Sequence, residues 1–183
     1  KFLHPVSQYR QHLCVTGGEP LMITGQRAVV GIYNELHRQS NLPGSMTFET
    51  NGTQKLSEDF KDWAREIDTE IFFSCSPKLW NVAGEKPEKA IKPEVVADYY
   101  KASKAGQLKF VVGHQEEHWE EMEGVISQFR EAGVMWPVWV MPVGAREEEQ
   151  HATAGAVAEK AFKRGYNVAA RVHVYLFGNA IGT

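Results

Sequence analysis

Short apolar segments alternate with longer stretches of helical spacing along almost the whole of this 183-residue chain. The apolar segments are rich in Val, Ile, Phe and Thr, which favour strands. They are His12–Thr16, Met46–Thr50, Glu70–Cys75, Gln107–Val112, Val138–Met141 and Val168–Val174. Between most of them, apolar residues recur every three or four positions, as in helices that pack on one side. Repeated strand–helix alternation predicts an α/β fold with a parallel sheet, either closed as a barrel or open.

Two glycines and a serine mark the limits of predicted helices. Gly133 follows the segment Glu116–Ala132, and Gly165 follows Gln150–Arg164, as glycines at helix C-termini do. Ser57 precedes two acidic residues, which predicts a capped helix start.

One segment interrupts the alternation. Pro77–Pro93 is the longest irregular stretch and is rich in Lys, Glu, Pro and Gly. It follows a predicted strand end, where functional loops occur. We therefore predict either a lid over a site or a solvated loop.

Composition excludes several classes of function. The net charge is −3 without clustered Lys and Arg, so no nucleic-acid surface is indicated. No apolar run approaches the roughly 20 residues that cross a bilayer, so no membrane segment is expected. The two cysteines, Cys14 and Cys75, are too few for a disulfide framework and predict a cytoplasmic protein. Both are interpreted as small buried residues. No repeat or linker divides the chain, so residues 1–183 are predicted to form a single domain.

Polar residues follow each predicted strand. The carboxyl ends of parallel strands meet at one edge of a sheet, where ligands bind. The strand ends are, in chain order, Thr16–Pro20, Glu49–Thr53, Ser74–Lys78, Gly113–His114, Met141–Gly144 and Arg171–His173. In the first of them, two glycines and a proline favour a tight turn whose backbone is open to a ligand. Six polar strand ends on one edge predict a binding site.

Three of these strand ends, in this order, resemble the 7-carboxy-7-deazaguanine synthase family of radical S-adenosylmethionine (SAM) enzymes. They read Thr-Gly-Gly-Glu-Pro at 16–20, Glu-Thr-Asn-Gly-Thr at 49–53 and Ser-Pro-Lys at 76–78. The tail at 171–183 is similar to the C-terminal signature of one branch of the family. The resemblance covers nearly the whole chain. It implies a partial or modified (β/α) barrel of the radical SAM type.

The resemblance implies a lyase that converts 6-carboxy-5,6,7,8-tetrahydropterin to 7-carboxy-7-deazaguanine and ammonia, on the route to queuosine. In this family a reduced 4Fe–4S cluster cleaves SAM, and the resulting 5′-deoxyadenosyl radical takes a hydrogen atom from the substrate. Mg²⁺ assists the rearrangement. The resemblance further implies a small-molecule pterin substrate, a reductant such as flavodoxin and a homodimer.

Site residues are implied position by position. The residues implied to bind SAM are Gly17, Gly18, Glu19, Ser76, Pro77, Lys78, Met141, Pro142, Val143 and Gly144. The residues implied to contact the pterin are Thr16, His173 and the carboxylate of Thr183. Backbone amides and a lysine suit a zwitterionic cofactor, and histidine suits a heterocycle with donors and acceptors.

The chain departs from the family at the cluster. Family members carry three clustered cysteines upstream of the Gly-Gly-Glu-Pro strand, and the threonine that binds Mg²⁺ lies in the same segment. Here Cys14 is the one cysteine before Thr16, and Cys14 and Cys75 together cannot replace three clustered thiolates. We expect that the sequence lacks its N-terminal portion and that these 183 residues alone are inactive. Another radical SAM enzyme and a cluster-less SAM-binding module are the alternatives.

One further motif indicates a different chemistry. The run His114-Gln115-Glu116-Glu117-His118 matches H-x-x-E-H, a zinc-protease pattern with two histidines one helical turn apart. An exposed helix start with acids near its positive end produces the same pattern. A zinc hydrolase is kept as an alternative hypothesis.

Overall fold

The computed structural model describes residues 2–144 and 146–178, without the side chains of Glu147 and His173. The elements are β1 (His12–Val15), α1 (Ile23–Arg38), β2 (Ser45–Thr50), α2 (Glu58–Glu66), β3 (Glu70–Cys75), α3 (Trp80–Ala83), α4 (Pro87–Ala90), α5 (Pro93–Ala102), β4 (Gly106–Val112), α6 (Glu116–Glu131), β5 (Val138–Pro142), α7 (Glu147–Lys163), β6 (Asn167–Val168) and α8 (Val172–Phe177). Each strand pairs in parallel with the next, in the order β1-β2-β3-β4-β5-β6. Parallel strands in sequential order form a partial (β/α) barrel, which confirms the predicted fold class.

The two faces of the sheet differ in character. Phe48, Phe73 and Phe110 are fully buried. Phe73 stacks on Phe48 at 5.7 Å and on Tyr99 of α5 at 5.1 Å between ring centroids. Because strand side chains alternate between faces, the neighbouring residues such as Lys109 lie on the opposite, inner face. The apolar core therefore lies between the sheet and its helices, and the inner face carries polar groups.

The predicted helix ends are confirmed. The Ser57 hydroxyl accepts a hydrogen bond from the backbone N–H of Phe60 at 3.2 Å, so it caps α2. Gly133 and Gly165 have φ angles of +86° and +75° directly after α6 and α7. These left-handed conformations are the ones glycine adopts without a steric penalty.

The predicted sixth strand, Val168–Val174, is wrong over most of its length. Only Asn167 and Val168 pair with β5, and the chain then turns into α8. Among the described residues β6 pairs with β5 alone, and the backbone groups that follow β6 do not continue this strand pairing. In α8 they bond locally instead, for example from Gly178 N–H to the carbonyl of Val174 at 2.9 Å. Arg171 thus precedes α8, and His173 lies in its first turn.

The irregular segment Pro77–Pro93 packs against α6. Leu79 and Ile91 are buried, and it contains the short helices α3 and α4. The N–H groups of Trp80 and Asn81 donate to the carboxylate of Glu121 at 2.6 and 2.9 Å. The segment is therefore partly structured, while residues 83–89 are exposed, so both the lid and the solvated loop stay predictions. Within the described ranges, no helix is both long and apolar enough to cross a membrane.

The two cysteines differ in exposure. Cys75 is fully buried, as predicted, whereas Cys14 is exposed, so the prediction for Cys14 is wrong. Cys14 lies on β1, where Leu13 and Val15 pack against the core, so its side chain lies on the opposite face of the strand.

The buried Cys75 thiol and the neighbouring Tyr99 phenol predict a loss of stability in alkali. Burial, followed by the negative charge of Glu19, raises the pKa of Cys75 above its ordinary 9.0. Burial also raises the pKa of Tyr99, with smaller contributions from Cys75 and Glu19. The unfolded chain releases these protons at a lower pH than the folded chain. The free energy of unfolding therefore has its full value below pH 9. It falls as the pH rises above 9, by up to about 1.4 kcal/mol per pH unit for each group.

Thermal melts between pH 7 and 10.5 measure this effect. We expect Cys75→Ala to flatten most of the decline that begins near the ordinary thiol pKa of 9.0, whereas Cys14→Ala, which removes the less buried thiol, flattens it less. A wild-type melting temperature that stays constant to pH 10.5 would contradict the prediction.

Candidate active site

A cavity of about 740 Å³ lies at the carboxyl ends of the strands. Its walls come from β2 to β5, from the loops after β1, β2, β3 and β5, and from the chain after β6. The lining residues are Thr16, Gly18, Glu49, Thr50, Asn51, Ser74, Ser76, Lys78, Lys109, Val111, Met141, Pro142, Val143, Gly144, Ala170 and Arg171. The strand ends predicted to converge therefore do so, except that Gly113–His114 after β4 is absent from this lining.

The loop after β1 presents backbone to the cavity. Gly17 and Gly18 have φ angles of +91° and +56°, and a Cβ on either would meet no described atom within 4 Å. The left-handed conformation costs other residues about 1–2 kcal/mol. Gly18 lines the cavity, so its bare backbone leaves room for a ligand there.

The Glu19 carboxylate accepts hydrogen bonds from the protein itself. One carboxylate oxygen accepts hydrogen bonds from the Thr50 hydroxyl at 2.7 Å and the Leu21 N–H at 3.1 Å. The other accepts the N–H of Asn51 at 2.8 Å. The loop after β1 is thereby fastened to the loop after β2, and the carboxylate does not line the cavity.

Gln26 fastens the same two loops from below. Its side chain is 1% exposed, and its amide nitrogen donates to the carbonyls of Leu21 at 2.6 Å and Lys55 at 2.9 Å. Its oxygen accepts the N–H of Ser57 at 2.9 Å. A buried amide with these partners is fully used, so Gln26 supports the site without lining it.

The loop after β5 is held at both of its ends. Val143 N–H donates to the carbonyl of Val112 at 2.8 Å. The carbonyl of Gly144 accepts from Gln150 at 2.7 Å and from Arg171 Nη1 at 3.0 Å. At Gly144, where φ is +139°, a Cβ would lie 2.9 Å from the Cβ of Glu149. Glycine is therefore required where this loop turns into α7.

A chain of polar contacts crosses the inner face of the sheet. The Thr16 hydroxyl donates to one oxygen of Glu49 at 3.1 Å, and the Lys109 ammonium lies 3.5 Å from the other. Burial and the charge of Glu49 raise the pKa of the nearby Cys14 thiol, and Lys109 opposes them. Glu49 is thus shared between the hydroxyl of the residue that follows β1 and a cation on β4.

Eight of the predicted site residues line this cavity together. They are Thr16, Gly18, Ser76, Lys78, Met141, Pro142, Val143 and Gly144. Gly17, Glu19 and Pro77 are their chain neighbours and are not part of the lining. The side chain of His173 and the whole of Thr183 lie outside the described part of the chain, so their predicted contacts stay predictions.

Sequence reasoning missed Lys109 and the role of Arg171. Strands of parallel sheets are usually continuous apolar runs, so the lysine within Gln107–Val112 could have indicated a polar site. Arg171 was placed at a strand end, but its bond to the loop after β5 depends on the turn into α8.

The zinc hypothesis finds no support in the geometry. His118 is buried, and its Nδ1 accepts the backbone N–H of Gly113 at 2.9 Å, so it serves the loop after β4. His114 is exposed. Among the residues that the structure describes, no three His, Cys, Asp or Glu side chains are grouped to hold a metal ion.

Sequence comparison relates the chain to two curated proteins. It is 29% identical over 171 residues to a 7-carboxy-7-deazaguanine synthase of Pyrobaculum aerophilum, covering 93% of this chain and 67% of the relative. It is 28% identical over 183 residues to a 7-carboxy-7-deazaguanine synthase of Rhodopirellula baltica, covering 94% of this chain and 64% of that relative. The chain thus spans about two thirds of the length of these relatives. No family model matches it.

Structural comparison supports the fold. The chain superposes on SuiB of Streptococcus suis in its SAM-bound crystal structure with a TM-score of 0.51 and 15% identity, covering 94% of this chain and 42% of SuiB. A second SuiB structure gives a TM-score of 0.52 at 14% identity, with 94% and 43% coverage. At this identity the likeness concerns the fold alone.

Proposed function

Because this chain is a relative of the 7-carboxy-7-deazaguanine synthases over nearly its whole length, we propose that it belongs to a radical SAM enzyme of that activity. The reaction converts 6-carboxy-5,6,7,8-tetrahydropterin to 7-carboxy-7-deazaguanine and ammonia. The observation that carries the proposal is the cavity in which Gly18, Ser76, Lys78 and the loop after β5 meet. These are the positions that the family resemblance assigns to the cofactor.

The residues present fit SAM. Gly18 leaves open space beside its backbone, where the methionyl end of SAM would approach N–H groups directly. Lys78 is exposed at the cavity wall and supplies a cation for the carboxylate. Met141 and Val143, which also line the cavity, offer apolar surface for the adenine. When bound, SAM supplies the 5′-deoxyadenosyl group, and this chain's residues hold and orient it.

The residues present do not fit a 4Fe–4S cluster or Mg²⁺. Cys75 is buried and Cys14 stands without a second exposed thiol in the described part of the chain. Cluster and Mg²⁺ binding therefore stay predictions. The flavodoxin-type reductant, the homodimer and the cytoplasmic location likewise stay predictions.

The proposal predicts that Gly18→Val abolishes SAM binding without unfolding the chain. A valine at φ +56° is strained and places its side chain in the cavity. We expect SAM binding by the full-length protein to fall below detection by isothermal titration, a loss of affinity of at least about 100-fold, or ~2.8 kcal/mol. Gly84→Val is the matched control, since φ there is +67° with no atom near its Cβ, and Gly84 does not line the cavity.

Activity is tested on the full-length protein, reconstituted with iron and sulfide without oxygen. We expect conversion of the carboxypterin to the 7-carboxy-7-deazaguanine product when SAM, Mg²⁺ and an external one-electron reductant such as flavodoxin are supplied. Full-length protein that binds SAM but takes up no cluster would instead indicate the cluster-less SAM-binding module. Cluster-dependent SAM cleavage without conversion of the pterin would indicate another radical SAM enzyme. Wild-type SAM affinity in Gly18→Val would remove this cavity from the cofactor site.

A further inference from the structure

Three successive backbone carbonyls at the end of β5 and in the loop that follows it accept hydrogen bonds from side chains of α7. The carbonyl oxygens of Pro142 and Gly144 both accept from one amide nitrogen, Gln150 Nε2, at 3.0 and 2.7 Å. The carbonyl between them, that of Val143, accepts from the hydroxyl of Thr153 at 3.3 Å. Two side chains of α7 therefore hold a stretch of backbone that lines the cavity.

The chemistry of its partners sets the orientation of the Gln150 amide. The residue is 0% exposed. Carbonyl oxygens accept hydrogen bonds and cannot donate them, so it is the NH₂ group of the amide that faces both carbonyls. The amide oxygen, Oε1, has no hydrogen-bond partner in the part of the chain that the structure describes. Within that part, the side chain of Gln150 therefore directs its hydrogen bonds to this stretch of backbone alone.

The first turn of α7 fixes the position of this amide. Gln150 is the fourth residue of α7, and its backbone N–H donates to the carbonyl of Arg146 at 3.1 Å. The carboxylate of Glu149 accepts the N–H of Arg146 at 3.2 Å and so caps the same turn. Groups that project from a helix are held more precisely than groups on a loop. The amide thus transmits the position of α7 to the backbone of the cavity wall.

The loop needs such support because it turns at a glycine. Gly144 has a φ angle of +139°, and glycine loses more conformational freedom on ordering than any other residue. A Cβ on Gly144 would lie 3.2 Å from Gln150 Nε2, so the amide packs directly against this backbone. If a loop is not ordered before a ligand binds, binding must supply the order, and affinity falls.

We propose that Gln150 is a positioning residue for the cofactor, because it holds residues 141–144 in the conformation that receives SAM. The identity of the ligand rests on the proposed function. Gln150 is not part of the cavity lining, so it acts through the backbone of the loop and does not touch the ligand. When fewer molecules have the receptive conformation, the apparent affinity falls by that fraction. The loss then lies in the association rate, whereas the loss of a direct contact raises the dissociation rate.

Stopped-flow and isothermal titration of SAM on the full-length protein test this assignment. Gln150→Met keeps the length of the side chain and removes both N–H donors. We expect SAM to bind about 10-fold more weakly, since two hydrogen bonds are lost and Arg171 still donates to the carbonyl of Gly144. The association rate should fall by the same factor, and the dissociation rate should stay within about twofold of the wild type. Thr153→Val, which removes the bond to Val143, should show the same division between the rates with an effect of about threefold.

Val157→Ala is the matched control for stability. Val157 is 0% exposed in the same helix and packs in the apolar core. We expect its truncation to lower the melting temperature by about 4 °C and to leave both rate constants for SAM unchanged. Thermal melting also reports whether Gln150→Met is folded. If it is not, Thr153→Val, which keeps its shape, decides the outcome through the same two rates.

Each contrary result would overturn a different statement. Wild-type rates in the folded Gln150→Met and Thr153→Val variants would overturn the positioning role. A loss of affinity carried by faster dissociation would overturn it as well, because Gln150 would then contact the ligand directly. An equal loss of affinity in Val157→Ala would assign the effect to stability alone. Wild-type full-length protein that binds no SAM would overturn the proposed cofactor, and with it the ligand named here.

Discussion

Replacing Glu19 with alanine is expected to lower the free energy of unfolding by about 3 kcal/mol and to abolish SAM binding. The substitution removes three hydrogen bonds to a carboxylate, and the hydroxyl of Thr50 is in a buried residue. Hydrogen bonds to charged groups contribute about 1.5–3 kcal/mol each, and part of this loss is recovered when water reaches the exposed groups. Without Glu19, the loop that carries Gly18 is no longer fastened to the loop after β2.

Urea unfolding and SAM titration measure the two effects separately. Glu19→Gln is the informative intermediate, because its amide oxygen can still accept from Thr50 while its NH₂ faces the N–H of Asn51. We expect it to lose about half as much stability as the alanine variant. Glu66→Ala, an exposed residue at the end of α2, is the control. Glu19→Ala with wild-type stability and SAM affinity would contradict the role assigned to the carboxylate.

Replacing Gly25 with alanine is expected to displace the loop after β1 and to destabilise the chain by about 2–3 kcal/mol, in the range of an overpacked site. A Cβ on Gly25 would lie 2.2 Å from the carbonyl oxygen and 3.0 Å from the carbonyl carbon of Pro20. Backbone atoms cannot rotate away as a side chain does, so α1 and the Gly-Gly-Glu-Pro loop must separate. SAM affinity should fall with stability, because Gly18 lies on the displaced loop.

Gly31 in the same helix is the matched control and should respond in the opposite direction. A Cβ there meets no described atom within 4 Å, and the residue is exposed. Alanine is favoured over glycine in helices by about 0.5–1 kcal/mol, so Gly31→Ala should stabilise the chain by that amount. Equal melting temperatures for the two variants would show that the close packing of Gly25 against Pro20 carries no energetic weight.

Strand and helix positions follow largely from local pattern. Apolar β-branched segments locate β1 to β5 to within a residue or two, because such residues suit strands of a buried parallel sheet. The last strand fails because its three valines were given more weight than the residues between them. Val168 pairs with β5, and α8 begins at Val172. Alanine and arginine, which occupy positions 169–171, favour helices over strands.

The candidate site, too, follows in part from the sequence and in part only from the tertiary structure. The order of the motifs along the chain, and their places after parallel strands, already bring Gly18, Ser76 and Lys78 to one edge of a sheet. That edge follows from chain direction alone. Which carboxylate lines the cavity does not follow from it. Glu19 and Glu49 both stand at strand ends, yet only Glu49 lines the cavity.

The sequence by itself therefore determined the parallel α/β architecture, the glycine turn after β1 and the family resemblance, since each depends on neighbouring residues or on motif order. The tertiary structure decided which groups serve the fold and which face a ligand. The Glu19 carboxylate accepts hydrogen bonds from Thr50 and Asn51, and Lys109 contacts Glu49, which is 60 residues away in the sequence. Such contacts depend on strand register and on the curvature of the sheet, and these emerge only when all the strands are packed together.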